Sequence, residues 1–390
     1  MPDIPLRRLS ASNSSSDTSD HGASVARAEG RASIGWNRSR NLERVPIGRP
    51  LAFDGSTGEK KVSGSQTQSN VAAVVCVPTF RRPIHLEKTL ASLAHQAEGV
   101  NFAVVIVEND DECREGKTVA DAFLKSGALR GICVVEPQRG NCRAINRAFE
   151  TALDSFPSAE FILMIDDDEI ASPLWLLEMT GGARQSGADI VGGPVVRYFE
   201  TAPDRATTLH PVFDPGLSFS RFIPSLLGSG NCLIRRHVFE SFDAPYFDLR
   251  FNFLGGGDMD FFKRCRSKGF TTYWSNDAIV TESVPAQRME AGWILRRGLA
   301  IGAINYQIDC KRYPSRLGRS LIFIKNFLTL PLSALRAVSM FQRTRCLLPT
   351  LHPICIAAGR NLAAFGFSPS PYKQPSRPNA TPRDLPHLSM

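Results

Sequence analysis

Residues 161–169 read FILMIDDDE: five apolar residues run straight into three aspartates and a glutamate. A continuous apolar run of this length suits a strand covered on both faces, as in a parallel sheet. Four adjacent carboxylates at its end repel one another, and burial raises that cost. Two readings account for them. One is a solvated acidic turn, with Glu169 opening a helix whose dipole favours it. The other is a place where a cation sits. Side chains of an extended chain alternate, so Asp166 and Asp168 are expected to point one way and Asp167 the other. Two carboxylates so placed can hold a hard divalent cation through oxygen ligands.

The same apolar pattern recurs on either side. VAAVVCV (71–77), FAVVIV (102–107), GICVV (131–135) and ADIVGGPVV (188–196) each read as a buried strand. Helical stretches alternate with them. IHLEKTLASLAHQ spaces Leu86, Leu90 and Leu93 on one face, 117–126 can be helical, and NCRAINRAFETAL (141–153) places Ala144, Ala148 and Leu153 near one face. In SPLWLLEMTGGARQSG, Ser172 is the expected N-cap, with Pro173 in the first turn. Alternation with short links predicts an α/β domain with a mostly parallel sheet. Ligands of such sheets bind at the carboxyl ends of the strands, where this chain carries PTFRR, ENDD, EPQRGN and DDDE. No G-x-G-x-x-G follows the first strand and no G-x-x-x-x-G-K-[ST] occurs, which disfavours dinucleotide and P-loop sites.

A second acidic cluster lies in LGGGDMDFFKRC (254–265). Its glycines let backbone approach a ligand. As a loop and helix N-cap the stretch accounts for one aspartate comfortably and for the second less so. A carboxylate here, apart from the 166/168 pair, is what a transfer reaction needs as general base.

Charge is spread unevenly: +3 over residues 1–70, −7 over 71–284 and +12 over 285–390. An acidic centre with a basic C-terminal third points to a metal-dependent site beside an anion-facing surface. The nine cysteines form no C-x-x-C pair and several sit in apolar runs, so reduced, mostly buried thiols are expected rather than disulfides or zinc. The seven histidines show no ligand spacing. Residues 1–70 lack the apolar core of a secretion signal and are expected to be a disordered extension, and 368–390 a disordered tail. Residues 319–341, RSLIFIKNFLTLPLSALRAVSMF, are apolar but interrupted by Lys325, Asn326, Pro331 and Arg336. The uncharged run falls short of the roughly 20 residues a span needs, so a basic, amphipathic, interfacial element over 307–367 is expected, facing an anionic membrane surface. An ordinary helical cap on the preceding domain is the competing reading. No nucleic-acid module accompanies the charge.

The order of motifs resembles the family 2 glycosyltransferases, inverting enzymes of GT-A fold. It runs through VPTFRRP, VEND, EPQRGNCRAIN, MIDDDEIASPLWL, GSGNCLIRR, GGGDMDFFKR and TESVPAQRMEAGWILRRG, between about Val71 and Tyr306. Within that family it is most similar to bacterial exopolysaccharide glucosyltransferases of the succinoglycan type. The resemblance implies a GT-A domain over 71–306, a nucleotide-diphosphate sugar donor (a UDP-sugar), Mg2+ or Mn2+, and a lipid-linked glycan acceptor at the cytoplasmic face of the membrane. It places Pro78, Thr79 and Arg81 in the nucleotide pocket, Glu108 and Asp110 near base and ribose, and Asp166 and Asp168 as the metal pair. It further places Asn146 and Asp260 in the donor site, Asn231 beside the sugar, Asp258 as general base, and Arg296 and Arg297 near the diphosphate. Two positions depart from the family pattern: Gly257 stands where an acidic residue is frequent, and Ile145 where arginine is. They raise the alternative of a non-catalytic nucleotide-sugar-binding protein. A sugar-nucleotide-forming transferase would need a Gly-rich basic loop after strand one, which PTFRR does not supply.

Overall fold

The computed structural model describes residues 71–367 apart from 215 and 227, together with residue 369. The extension 1–70 and, but for residue 369, the tail 368–390 lie outside the described residues.

Strand and helix alternate as expected through the first half: β1 (Ala73–Thr79), α1 (Pro83–Ala94), β2 (Phe102–Glu108), α2 (Glu115–Lys125), β3 (Gly131–Val135), α3 (Asn141–Ser155) and β4 (Phe161–Met164). Pro83 opens α1, where its missing N–H costs nothing. β1 pairs in parallel with β2 and β4, and β2 with β3. Residues 73–77 of β1 alternate between two cores. Val74 and Cys76 pack with Ala144, Ile145, Ala148 and Phe149 of α3. Ala73, Val75 and Val77 pack with Leu86, Leu90 and Leu93 of α1. That two-sided burial is why these strands read as unbroken apolar runs.

The second half departs from simple alternation. After β4 come β5 (Glu169–Ala171), α4 (Trp175–Ser186), β6 (Ile190–Gly192), β7 (Val195–Phe199), the short α5 (Arg205–Thr208), β8 (Arg221–Ile223), β9 (Cys232–Arg235) and α6 (Arg236–Glu240). There follow α7 (Gly257–Ser267), β10 (Thr272–Trp274), β11 (Val280–Val284), the short α8 (Ala286–Met289), α9 (Ala291–Arg312), α10 (Arg316–Thr344) and α11 (Leu347–Ala364). The main sheet has the order β3-β2-β1-β4-β9-β6-β10-β8. β9 runs antiparallel between β4 and β6. A three-stranded sheet, β5-β11-β7, stands beside it. The α/β class and mostly parallel sheet flanked by helices are therefore present, with a C-terminal helical extension.

Four local expectations are corrected. The single strand 188–196 is two, β6 and β7, in different sheets, because the chain turns at Gly193-Pro194 and proline cannot donate to a ladder. Ser172 does not cap α4. The helix begins at Trp175, with Leu174 at the N-cap and no side-chain cap bond, and the Ser172 carbonyl instead accepts from the Trp175 amide at 2.9 Å. Glu169 opens no helix; it is the first, buried residue of β5. The stretch 319–341 is an uninterrupted part of the 29-residue α10, with Pro331 inside it. Among the described residues α10 is the one helix long and apolar enough to cross a membrane, and only 22% of its apolar window is buried. Leu317, Phe323, Phe327, Leu335 and Val338 are all exposed.

No disulfide forms among the described residues; four of the nine cysteines are buried and Cys113 is exposed. The boundary expected between 306 and 307 falls inside α9. Polar contacts bind that helix in both directions. Lys311 pairs with Asp260 of α7 and with Asp248, each at 2.7 Å. Lys263 Nζ donates to Asn305 Oδ1 at 3.0 Å. Asp309 accepts from Lys325 of α10 at 2.8 Å and from Arg360 of α11 at 2.6 Å.

Candidate functional site

The carboxyl ends of β1, β2 and β3 are joined into one rim. Arg81 has left-handed backbone geometry (φ 55°). Its guanidinium grips Asp110 as a fork, Nε to Oδ2 at 2.9 Å and Nη2 to Oδ1 at 3.2 Å, and reaches Glu112 at 2.7 Å. The Phe80 ring lies 4.9 Å from the guanidinium carbons of both Arg81 and Arg139. Glu108 is fully buried and accepts from the backbone amides of Asp110 (2.8 Å) and Lys117 (3.2 Å). Burial pushes its pKa up, against the opposing effect of those amides. Asn109 donates to the carbonyls of Glu136 and Gln138 and accepts from the Gly140 amide.

The acidic run after β4 is a turn leading into β5, in which the Glu169 amide donates to the Asp166 carbonyl at 3.2 Å. Asp166 and Asp168 keep some exposure, whereas Asp167 and Glu169 are buried. Asp167 turns back to β1, where Thr79 Oγ1 donates to it at 2.8 Å. Arg82, at the N-cap of α1, bridges Asp167 (3.1 Å) and Asp168 (2.7 Å). Glu169 accepts from the Asp166 amide at 3.1 Å. The Asp166 and Glu169 carboxylates close over Gly230: a Cβ there would stand 2.7 Å from an oxygen of each. Burial, then the like charges of Asp168, Asp167 and Asp258, pushes Asp166 up to about 7. Burial and then Asp166 likewise hold Glu169 well above the usual carboxylate range.

Asp258 arrives from the other side, as the second residue of α7. The N-cap residue Gly256 admits no side chain: its φ is 87°, and a Cβ there would stand 2.2 Å from Ile304 Cγ2. Asp258 Oδ1 accepts from the Met259 amide at 2.7 Å. Burial raises its pKa; the Met259 amide, the Arg297 guanidinium and the Ser229 amide pull it back. Its Oδ2 lies 3.8 Å from where a Cβ on Gly228 would stand. The loop 228–230 thus touches Asp258 at one end and Asp166 at the other.

Several expected site residues are occupied elsewhere. Asn146 spends both ends of its amide on the Phe247 backbone, donating to the carbonyl at 2.8 Å and accepting from the amide at 2.7 Å. Asn231 is equally committed: it accepts from Trp175 Nε1 at 2.8 Å and donates to Pro194 O (3.0 Å) and Ala278 O (2.9 Å). These contacts knot α4, β9 and the loop before β11. Asp260 is buried between Arg264 and Lys311, on the side of α7 turned to α9. Pro78 is buried within β1, opposite Val107. Arg296 is exposed, folded back beside Gly292. In the folded chain Asn146, Asn231 and Asp260 each bond to neighbouring scaffold groups. Asn231→Ala should lower stability by about 2–4 kcal/mol, since it leaves an indole N–H and two carbonyls without partners; chemical denaturation checks this.

The departures at 145 and 257 have packing reasons. Ile145 is buried in the core beneath β1. A Cβ at Gly257 would already stand 2.7 Å from Cys142 Sγ, so an acidic side chain has no room there.

Three residues were not expected in the site: Arg82, Glu169 and Arg197. Arg197 pairs with Glu282, which also accepts from Arg288 at 2.8 Å. Doubled arginines after β1 and the glutamate closing DDDE were the available signals.

The donors suit a hard divalent ion. Asp166, Asp167, Asp168, Glu169, Asp258 and Glu282 face Arg82, Arg197, Arg288 and Arg297. Every donor is oxygen, as Mg2+ and Mn2+ prefer. Among the described residues no three acidic, histidine or cysteine side chains converge into a closed cage. An ion held by one or two carboxylates completes its shell with water and substrate phosphate.

Residues 74–242 match the family model described as glycosyl transferase family 2. Over 235 residues the chain is 32% identical to the succinoglycan biosynthesis protein ExoM of Rhizobium meliloti (strain 1021), covering 58% of this chain and 71% of that protein. Among solved structures it is similar to the mannosyltransferase PcManGT from Pyrobaculum calidifontis in complex with GDP-Man and Mn2+, with TM-score 0.47, 14% identity, 75% of this chain and 88% of that one. It is also similar to S. aureus TarS 1–349 in complex with UDP, with TM-score 0.41, 13% identity, 75% and 90%.

Proposed function

Because the chain belongs to glycosyl transferase family 2, we propose that this glycosyltransferase moves a hexose, with inversion, from a UDP-sugar to a lipid-linked glycan in exopolysaccharide synthesis. The observation that supports it best is the loop 228–230, which brings Asp258 and Asp166 to the same place from opposite sides. The ExoM relative, a succinoglycan biosynthesis protein, supports the pathway class.

In this reading Asp166 and Asp168 would hold Mg2+ or Mn2+, which when bound supplies positive charge for the departing diphosphate. Asp258 takes the proton of the acceptor hydroxyl as its oxygen attacks the anomeric carbon. The bond from that carbon to the diphosphate oxygen breaks, and UDP leaves with the electron pair. A carboxylate whose pKa is raised by burial is a stronger base than a free one, and Arg297 nearby opposes part of that rise. Phe80 and the forked Arg81–Asp110 pair form the rim on which the nucleotide would rest. The exposed apolar residues of α10, flanked by arginines, would lie on the anionic inner face of the plasma membrane.

A screen of UDP- and GDP-sugars for Mn2+-dependent hydrolysis and transfer, with and without anionic vesicles carrying polyprenyl-linked acceptor, tests this. Turnover of a UDP-hexose, raised by the vesicles, is the expected outcome. Turnover confined to a GDP-sugar, or unaffected by EDTA, would overturn the donor or the metal assignment respectively.

A further inference from the structure

Resting on the reading of Asp166 and Asp168 as ligands of a cation, we propose that Arg82 is a built-in counter-ion which that cation displaces. Before an ion binds, three consecutive carboxylates need a positive charge, and Arg82 is the group that meets two of them. Both of its bonds leave from one nitrogen, Nη1. The neighbouring Arg81 instead grips Asp110 through two nitrogens. A fork fixes a guanidinium in its plane; a contact through one nitrogen leaves it free to rotate away. Exposure follows the same division: the Arg82 side chain is 38% exposed and that of Arg81 10%.

The two acceptors differ in what else holds them. Asp167 also takes a hydrogen bond from Thr79, so it stays in place when Arg82 lets go. Among the described residues, no group besides Arg82 donates to the Asp168 carboxylate. A cation and Arg82 cannot comfortably share it. An ion about 2.1 Å from Asp168 Oδ2, with Arg82 Nη1 at 2.7 Å from the same atom, would sit within about 5 Å of a like charge. Arg82 therefore keeps Asp168 oriented and compensated before loading, and rotates away on loading while Thr79 holds Asp167 in place. The cost of this device is a lower affinity for the bare ion.

The probe is Mn2+ alone, titrated into the full chain and followed by the electron paramagnetic resonance signal of free Mn2+. Arg82→Met keeps the length of the side chain and removes its charge. It should bind Mn2+ roughly tenfold more tightly than the unaltered chain, the low end of what one opposite charge at this range does to a carboxylate. In EDTA the same variant should melt below the unaltered chain, and Mn2+ should restore it. Arg82→Lys, which keeps the charge, should bind Mn2+ like the unaltered chain. Where Arg82→Met does not fold, Arg82→Gln gives the same comparison. Equal or weaker Mn2+ binding by the uncharged variants overturns the exchange. Asp168→Ala separates the two ideas: if it binds Mn2+ as well as the unaltered chain does, the ligand assignment has failed, whatever Arg82→Met does.

Discussion

Asp258→Asn should reduce transfer by about two to four orders of magnitude, the contribution of a positioned general base, while nucleotide binding is unchanged. The asparagine fits the same space and can still accept from the Met259 amide, so α7 keeps its start. What it cannot do is take a proton from the acceptor. Calorimetric titration with UDP and Mn2+, beside a transfer assay, separates the two properties. Normal turnover in the variant would remove Asp258 from the chemistry. A pH profile gives an independent check. The base works only when ionised, and burial raises its pKa above the ordinary aspartate value. Turnover is therefore full above that raised pKa and is lost as pH falls through it, and the Asn variant should lack this acid limb.

Asp168→Ala should abolish the dependence of nucleotide affinity on Mn2+. In the unaltered chain the ion bridges protein and diphosphate, so UDP should bind more weakly in EDTA by at least about tenfold to a hundredfold. The variant should bind UDP with one affinity whether or not Mn2+ is present. Its fold should hold, because Asp168 is partly exposed and its bond is to Arg82, whereas Asp167 and Glu169 are the buried members of the run. Metal-linked affinity surviving in Asp168→Ala would move the ion elsewhere.

Much of this architecture could be read from the chain, for reasons visible in particular residues. β1, β2 and β4 are buried on both faces, and such strands announce themselves as unbroken apolar runs, whereas β3, which read the same way, is the half-buried edge strand. The segment 188–199 could not be read so well. Its two strands are three residues long and five residues long and join different sheets, and the turn between them is visible only as Gly193-Pro194. For the acidic run, the half-buried Asp166 and Asp168 and the buried Asp167 follow the expected order of exposure, but the run is a turn where a strand end was expected. The fate of Glu169 was not legible, because it depends on β5 pairing with β11 more than a hundred residues away.

The asparagines show the limit most clearly. Asn146 and Asn231 sit inside family motifs, and a motif position says that a residue matters without saying to what. Each is tied to main-chain groups brought close only by the folded chain: Phe247 for one, Pro194 and Ala278 for the other. Their side chains satisfy buried backbone groups, which composition and spacing cannot locate. Gly257 is the converse case. As a sequence it looked like a lost carboxylate; in the folded chain the space is filled by Cys142.

The contacts of α9 bear on how this enzyme can be taken apart. Asp260, two residues after the proposed base, is held by Lys311 at the far end of α9. One turn away Lys263 is bound to Asn305, and Asp309 ties the same helix to Lys325 and Arg360. A cut at residue 306 would sever α9 and remove Lys311, the partner of Asp260 in α7, while leaving every family motif intact. The transplantable cassette is accordingly larger than the family domain: a chimera that borrows this catalytic half must carry α9, α10 and α11 with it, together with whatever surface those helices rest on.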